Sequence, residues 1–265
     1  MPKSAIIHFS TTGNTFLACQ YLSRRIPQID FDLIDVKSMN GFDPSQYESV
    51  GFASYCDFQG PPRLLLSKIS RIPRVDGMPS FVLITYAAIH GHTLKTLKKA
   101  VEERGFRVLS GHALRMPENY PPMRKKGMRG DDKPDSNDLE GFQNYIRRLS
   151  DDLVAHHLGK KVEEKKIKIG LFNTFFRGKD RSKAKKQMGE KKVDEGLCTK
   201  CGLCERSCGY DAIGLNPFPV FDENKCMGCF SCYNVCPVGA ISTGKITNEY
   251  RYGGPPEELK KKMSY

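Results

Sequence analysis

Between residues 4 and 158 the chain alternates short apolar runs with amphipathic stretches. Ser4 to Phe9, Phe31 to Val36, Val50 to Ser54, Ser80 to Tyr86 and Phe106 to Leu109 are strand-sized and rich in Ile, Val, Leu and Phe. Helical spacing falls near 14–26, 62–70, 93–104 and 138–158. Apolar strands between helical segments predict an α/β, doubly wound parallel sheet with helices on both faces. Five strands in about 150 residues suit the order 2-1-3-4-5 better than a six-stranded dinucleotide fold.

The pattern changes after residue 158. Residues 159–192 form a Lys-rich connection interrupted by the apolar patch 167–176, in which Phe172, Phe175 and Phe176 are expected to dock onto a neighbouring domain. A 28-residue repeat follows: Cys198, Cys201, Cys204, Cys208, Ala212 and Ile213 recur as Cys226, Cys229, Cys232, Cys236, Ala240 and Ile241. The expected organisation is a domain over 1–158, a basic, partly docked linker over 159–192, a small α+β domain over 193–245 and a tail over 246–265. That tail reads as a turn followed by a short exposed helix.

Charge sharpens this division. The formal charge is +12, but residues 159–192 alone hold 13 basic and 4 acidic side chains, so most of the excess sits in the linker. The basic segment raises nucleic-acid or anionic-membrane binding as a competing function. Docking, with the lysines solvated outside, is the favoured use, and nucleic acid is not the expected partner. No apolar run nears the roughly 20 residues of a membrane span, and the N-terminal apolar stretch is too short for a signal sequence. A cytoplasmic chain is expected.

Eight of the ten cysteines lie between Cys198 and Cys236. Each half reads Cys-x2-Cys-x2-Cys-x3-Cys, a spacing that wraps three thiolates around one face of a cubane and sends the fourth to the other cluster. Cys198, Cys201, Cys204 and Cys236 are then one [4Fe-4S] ligand set, and Cys226, Cys229, Cys232 and Cys208 the other. Paired structural zinc sites also use four thiolates, but a third cysteine after only two more residues is an iron–sulfur spacing. One half departs from the pattern, with Gly209 where the other has Pro237.

Ser10-Thr11-Thr12-Gly13-Asn14-Thr15 follows the first strand and opens the first helix. Hydroxyls, a glycine and helix N-terminal N–H groups make a phosphate cradle, although the same residue types also make a plain capped turn. Neither a Gly-Lys-Ser/Thr nor a Gly-x-Gly-x-x-Gly motif is present, which leaves a phosphate monoester such as FMN as the candidate. The switch point of the sheet brings in the loops after strands three, four and five. Ser54 and Tyr55, then Tyr86, Ala87 and Gly91, then Asn119 and Tyr120 are the expected flavin contacts, with one of the three tyrosines stacking on the ring.

Together these motifs resemble the flavodoxin–ferredoxin fusion proteins of anaerobes, in which a flavodoxin-like FMN domain precedes a bacterial-type two-[4Fe-4S] ferredoxin domain. The resemblance implies FMN phosphate binding at Ser10 to Thr15, cluster ligation by the eight cysteines, and electron transfer between FMN and the two clusters. It implies either an FMN/[4Fe-4S] oxidoreductase or an electron shuttle without substrate turnover, working with a redox partner protein for which an acidic ferredoxin or a reductase is a good match. No acid, base or nucleophile constellation is apparent. The excursion from Met123 to Pro134 is expected to cover the flavin, and a homo-oligomer is left open.

Overall fold

The computed structural model describes every residue except 168, 169, 177, 179, 180, 247 and 265; Lys168 and Ile169 of the apolar linker patch therefore lie outside the described residues. The elements of the first part are β1 (Lys3–His8), α1 (Asn14–Arg24), β2 (Asp30–Asp35), β3 (Ser49–Tyr55), α2 (Arg63–Ile69), β4 (Pro79–Tyr86), α3 (Thr93–Glu102), β5 (Arg107–Arg115), α4 (Pro121–Lys125) and α5 (Ser136–His157). The strands form one sheet, β2-β1-β3-β4-β5, with every neighbouring pair parallel. This is the flavodoxin-like doubly wound order.

Its central strands are apolar throughout because both faces are covered. Along β1 and β4 successive side chains alternate between two cores: Ile6, Phe81 and Leu83 pack under α1 and α5, while Ala5, Ile7, Val82 and Ile84 pack under α2 and α3. The edge strand β5 runs six residues past Leu109, because its ladder to β4 continues through Ser110, Gly111 and His112 to Arg115. Polar residues are tolerated there since an edge strand pairs on one side only.

The second part contains α6 (Ser182–Met188), β6 (Lys191–Val193), α7 (Leu203–Ser207), β7 (Ile213–Leu215), β8 (Pro219–Phe221), α8 (Ser231–Val235), β9 (Ile241–Thr243) and α9 (Glu257–Lys262). The repeat is carried element by element: β6, α7 and β7 recur as β8, α8 and β9 at the same 28-residue offset. Two small antiparallel ribbons, β6 with β9 and β7 with β8, enclose a core of Phe230, Tyr233, Ala240, Ile241 and several cysteines.

Two expectations are corrected here. In the linker Phe172 and Phe175 are 64% and 78% exposed, while Phe176 is half-buried and its carbonyl accepts the His92 N–H at 3.1 Å. Asn173 Oδ1 accepts the N–H groups of His90 and Gly91 at 3.2 and 3.0 Å, and Val162 and Ile167 pack into the two cores of the sheet. The tail helix is not simply exposed either. Leu259 and Met263 of the α9 segment are buried in the core shared by α1 and α5, because amphipathic spacing gives this short helix one apolar edge. Met263→Ala is accordingly expected to lower the unfolding free energy by about 2–5 kcal/mol, as for a buried methionine; in a denaturant titration a solvated helix would show about 0.5 kcal/mol or less.

Candidate functional site

A cavity of ≈390 Å³ opens at the carboxyl ends of the central strands, where the strand order reverses. Of the expected flavin contacts, Ser10, Thr11, Thr12, Asn14, Thr15, Tyr55, Tyr86, Ala87, Asn119 and Tyr120 line it, all three tyrosines included. Gly13, Ser54 and Gly91 do not. Gly13 is the left-handed residue (φ 99°) that starts α1; its N–H turns back to Ser10 Oγ at 3.2 Å, and a Cβ there would meet Pro255. Ser54 is fully buried in β3, bonded to the Tyr55 carbonyl at 3.1 Å. Gly91 lies under the linker, its N–H taken by Asn173.

The loop over Ser10 to Thr15 is braced by its own side chains. Thr15 Oγ1 lies 2.8 Å from Thr85 Oγ1, Asn14 Nδ2 donates to the Pro117 carbonyl at 3.0 Å, and Asn119 Nδ2 donates to Thr12 Oγ1 at 2.9 Å. Tyr252 of the tail donates its hydroxyl to Asn14 Oδ1 at 2.6 Å. Asn14 is thus a brace for the loop, and the N–H groups of the first turn of α1 are what the cradle offers an anion.

Beside it, Asp57 and Gly60 close a two-residue hairpin with mutual backbone bonds at 2.8 and 3.1 Å. Its central residues Phe58 (φ 50°) and Gln59 (φ 68°) are both left-handed, the geometry of a type I′ turn that is usually left to Asn or Gly. Such strain persists where surrounding structure enforces it, commonly at ligand sites. Among the described residues, the Tyr55 hydroxyl and Gln59 Oε1 are buried on the cavity wall without a hydrogen-bond partner. Together with the loop N–H groups they are the polar groups that a flavin ring and its phosphate would satisfy, so the residues present fit FMN.

Glu118 and Cys56 also face this space. Burial pushes the Glu118 carboxyl up, partly offset by the N–H groups of Tyr120 and Asn119. Burial raises the Cys56 thiol to about 11, leaving a neutral packing thiol beside Thr93 rather than a reactive one.

The linker supplies the roof, which the sequence pattern did not reveal. Arg181, Lys183 and Gln187 line the cavity, and Gln187 Oε1 accepts the Tyr120 hydroxyl at 2.5 Å. Met123, Lys126 and Met128 join them, so the excursion after β5 does reach the cavity. Arg181 is buried: it pairs with Asp57, donates from Nε to the Met227 carbonyl at 3.0 Å and lies 5.3 Å from the Phe58 ring centroid. The only advance signal was a cation excess in the linker, which does not single out one arginine.

Two further small cavities lie in the C-terminal part. Cys208, Cys226, Cys229 and Cys232 line one, and Cys198, Cys201, Cys204 and Cys236 line the other. The structure thus groups the cysteines in the two crosswise sets, and four thiols around a void are the donor set of a cubane. Cys229 lines both its own cavity and the larger one at the sheet. The next residue, Phe230, meets the Tyr120 ring edge-on at 5.4 Å. α8 docks onto the same loops, with Asn234 Nδ2 donating to the Asn119 carbonyl at 2.8 Å and Ser231 Oγ lying 3.4 Å from the Thr11 carbonyl. No helix among the described residues is long and apolar enough to cross a membrane.

Residues 197–240 match the family described as 4Fe-4S dicluster domain. A ferredoxin of Pyrobaculum islandicum is 38% identical over 86 aligned positions, covering 26% of this chain and 75% of that protein. Among solved structures, oxidised Flavodoxin 2 from Bacillus cereus is 15% identical with a TM-score of 0.44, covering 56% of this chain and 98% of its own. A flavodoxin from the domain Archaea is 13% identical with a TM-score of 0.40, covering 57% and 99%. The fold assignment of the first part rests on its strand order, not on these likenesses. Identity and coverage against the ferredoxin, with the sheet order β2-β1-β3-β4-β5, make this an electron-transport iron–sulfur protein that belongs to the ferredoxins through its C-terminal part, fused behind a flavodoxin-like domain.

Proposed function

We propose that residues 1–158 hold FMN, that residues 193–245 hold two [4Fe-4S] clusters, and that the chain passes electrons between them on behalf of a redox partner. Flavins exchange one or two electrons and clusters one at a time, so such a chain links one-electron to two-electron chemistry. The observation that carries this reading is Cys229, a wall of both the flavin-sized cavity and one cysteine cavity. The chain's own residues fix that adjacency. Arg181 ties the Asp57 turn to the Met227 carbonyl, Asn234 ties α8 to Asn119, and Tyr252 ties the tail to Asn14. Residues 159–192 act as the cover of the site and 246–265 as its strap.

An acidic partner suits the mouth of the cavity. Lys125, Lys126, Lys186 and Lys245 line a groove that shares Pro122, Lys126 and Gln187 with the flavin cavity, and such a field steers oppositely charged proteins at low salt. Anaerobically purified protein tests the reading. It is expected to contain about eight iron per chain and one FMN, and rapid mixing with reductant should show electrons equilibrating between cluster and flavin absorption bands. Zinc in place of iron, absence of flavin, or clusters and flavin reduced independently would refute it.

A further inference from the structure

The duplication exposes a difference in buried charge between the two cysteine cavities. At the 28-residue offset β6 is matched by β8, so Lys191 stands where the other half has Pro219. Each lines one cavity: Lys191 that of Cys208, Cys226, Cys229 and Cys232, and Pro219 that of Cys198, Cys201, Cys204 and Cys236. The N–H donors to the two crosswise cysteines are matched. The N–H of Ala212 donates to Cys208 Sγ at 3.4 Å, and its counterpart, the N–H of Ala240, donates to Cys236 Sγ at 3.2 Å.

Lys191 is 2% exposed at its side chain and donates from Nζ to Cys226 Sγ at 3.3 Å. It also pairs with Glu223 Oε1 at 2.6 Å and lies 5.3 Å from the Phe221 ring centroid. Burying an ammonium costs several kcal/mol unless anions answer it. Here the answers are one sulfur and a carboxylate that is itself 43% exposed and partly screened. Proline offers the other cavity neither charge nor N–H. The other cavity has cations of its own, but among the described residues none of them donates to a sulfur: exposed Lys200 lines it, exposed Arg206 bonds the Cys201 carbonyl at 2.9 Å and half-buried Arg251 bonds the Cys236 carbonyl, so water and salt screen these charges more than they screen Lys191. Reduction adds one negative charge to a cluster, and hydrogen bonds and net charge at its sulfurs are the protein's means of setting the potential.

We propose that Lys191 makes the cluster site of Cys208, Cys226, Cys229 and Cys232 the more easily reduced of the two. An electron on the two-cluster domain then settles beside the flavin cavity, oxidising one centre by one electron and reducing the other by one, with no outside reactant. The end around exposed Cys201 becomes the entry side for a one-electron donor. This rests on the cluster reading above.

The test is a redox titration of the full-length, cluster-loaded protein and its Lys191→Met, Lys191→Arg and Glu223→Gln variants, following each reduced cluster by electron paramagnetic resonance. Lys191→Met is expected to disfavour reduction of one cluster at least tenfold, 59 mV for a one-electron couple, and to leave the other unmoved. Lys191→Arg should stay near the parent value, and Glu223→Gln should shift the same cluster upward. Unmoved midpoints in a Lys191→Met protein that keeps its full iron content would overturn the proposal. If that variant loses the cluster, an unmoved midpoint in Glu223→Gln overturns it instead. Parent protein without iron–sulfur signals refutes the cluster reading itself.

Discussion

Replacing Cys208 by Ala is expected to remove the cluster that Cys226, Cys229 and Cys232 hold, although Cys208 belongs to the first motif in sequence. Iron should fall from about eight to about four per chain, and electron flow from the remaining cluster to the flavin should be lost. Cys236→Ala is the mirror experiment. It should remove the outer cluster, with the same loss of iron, yet leave flavin reduction intact because Cys229 and its cavity keep their contact with the flavin site. Iron analysis, paramagnetic resonance and reduction of the flavin band separate the cases. If the two variants transfer electrons to the flavin equally well, the crosswise arrangement or the adjacency is wrong.

Arg181→Ala should have the second large effect. Arg181 and Asp57 are each 7% exposed at the side chain, so removing the cation strands a carboxylate in a water-poor site. Breaking such a pair from one side costs about 3–5 kcal/mol. Chemical denaturation of the holoprotein should show that loss together with faster flavin release, since the same guanidinium holds the roof of the cavity and the Met227 carbonyl. An Arg181→Met, Asp57→Asn double variant is expected to recover most of the stability, because no buried charge is then unpaired, but not the flavin retention. Recovery of both would reduce Arg181 to a structural ion pair.

These variants differ in how far the residues announce themselves. Cys208 and Cys236 stand in a spacing whose chemistry is local: three thiols within seven residues can only curl around one small object, and the repeat fixes where the fourth belongs. The apolar runs of β1, β3 and β4 are legible for a similar reason, since a strand buried on both faces has no polar positions to confuse the pattern. The loop over Ser10 to Thr15 was legible as a candidate anion cradle because strand, glycine and helix start are adjacent in sequence.

Arg181, Lys191, Asn234 and Tyr252 were not legible in this way. Each is one of many similar residues in its segment, and its role comes from a partner 18 to 238 positions away, such as Asn14 for Tyr252, Asp57 for Arg181 and Cys226 for Lys191. Two linker aromatics show the converse. Phe172 and Phe175 carry the apolar signal yet remain exposed, while the polar side chain of Asn173 makes a docking contact. The sequence by itself determined the two folds and singled out the eight cysteines and the loop over Ser10 to Thr15 as candidates, because periodicity and spacing act within a few residues. The tertiary structure decided that the cavities share Cys229, that the linker roofs one and that a buried lysine distinguishes the other, because burial and charge pairing depend on what arrives from elsewhere in the chain.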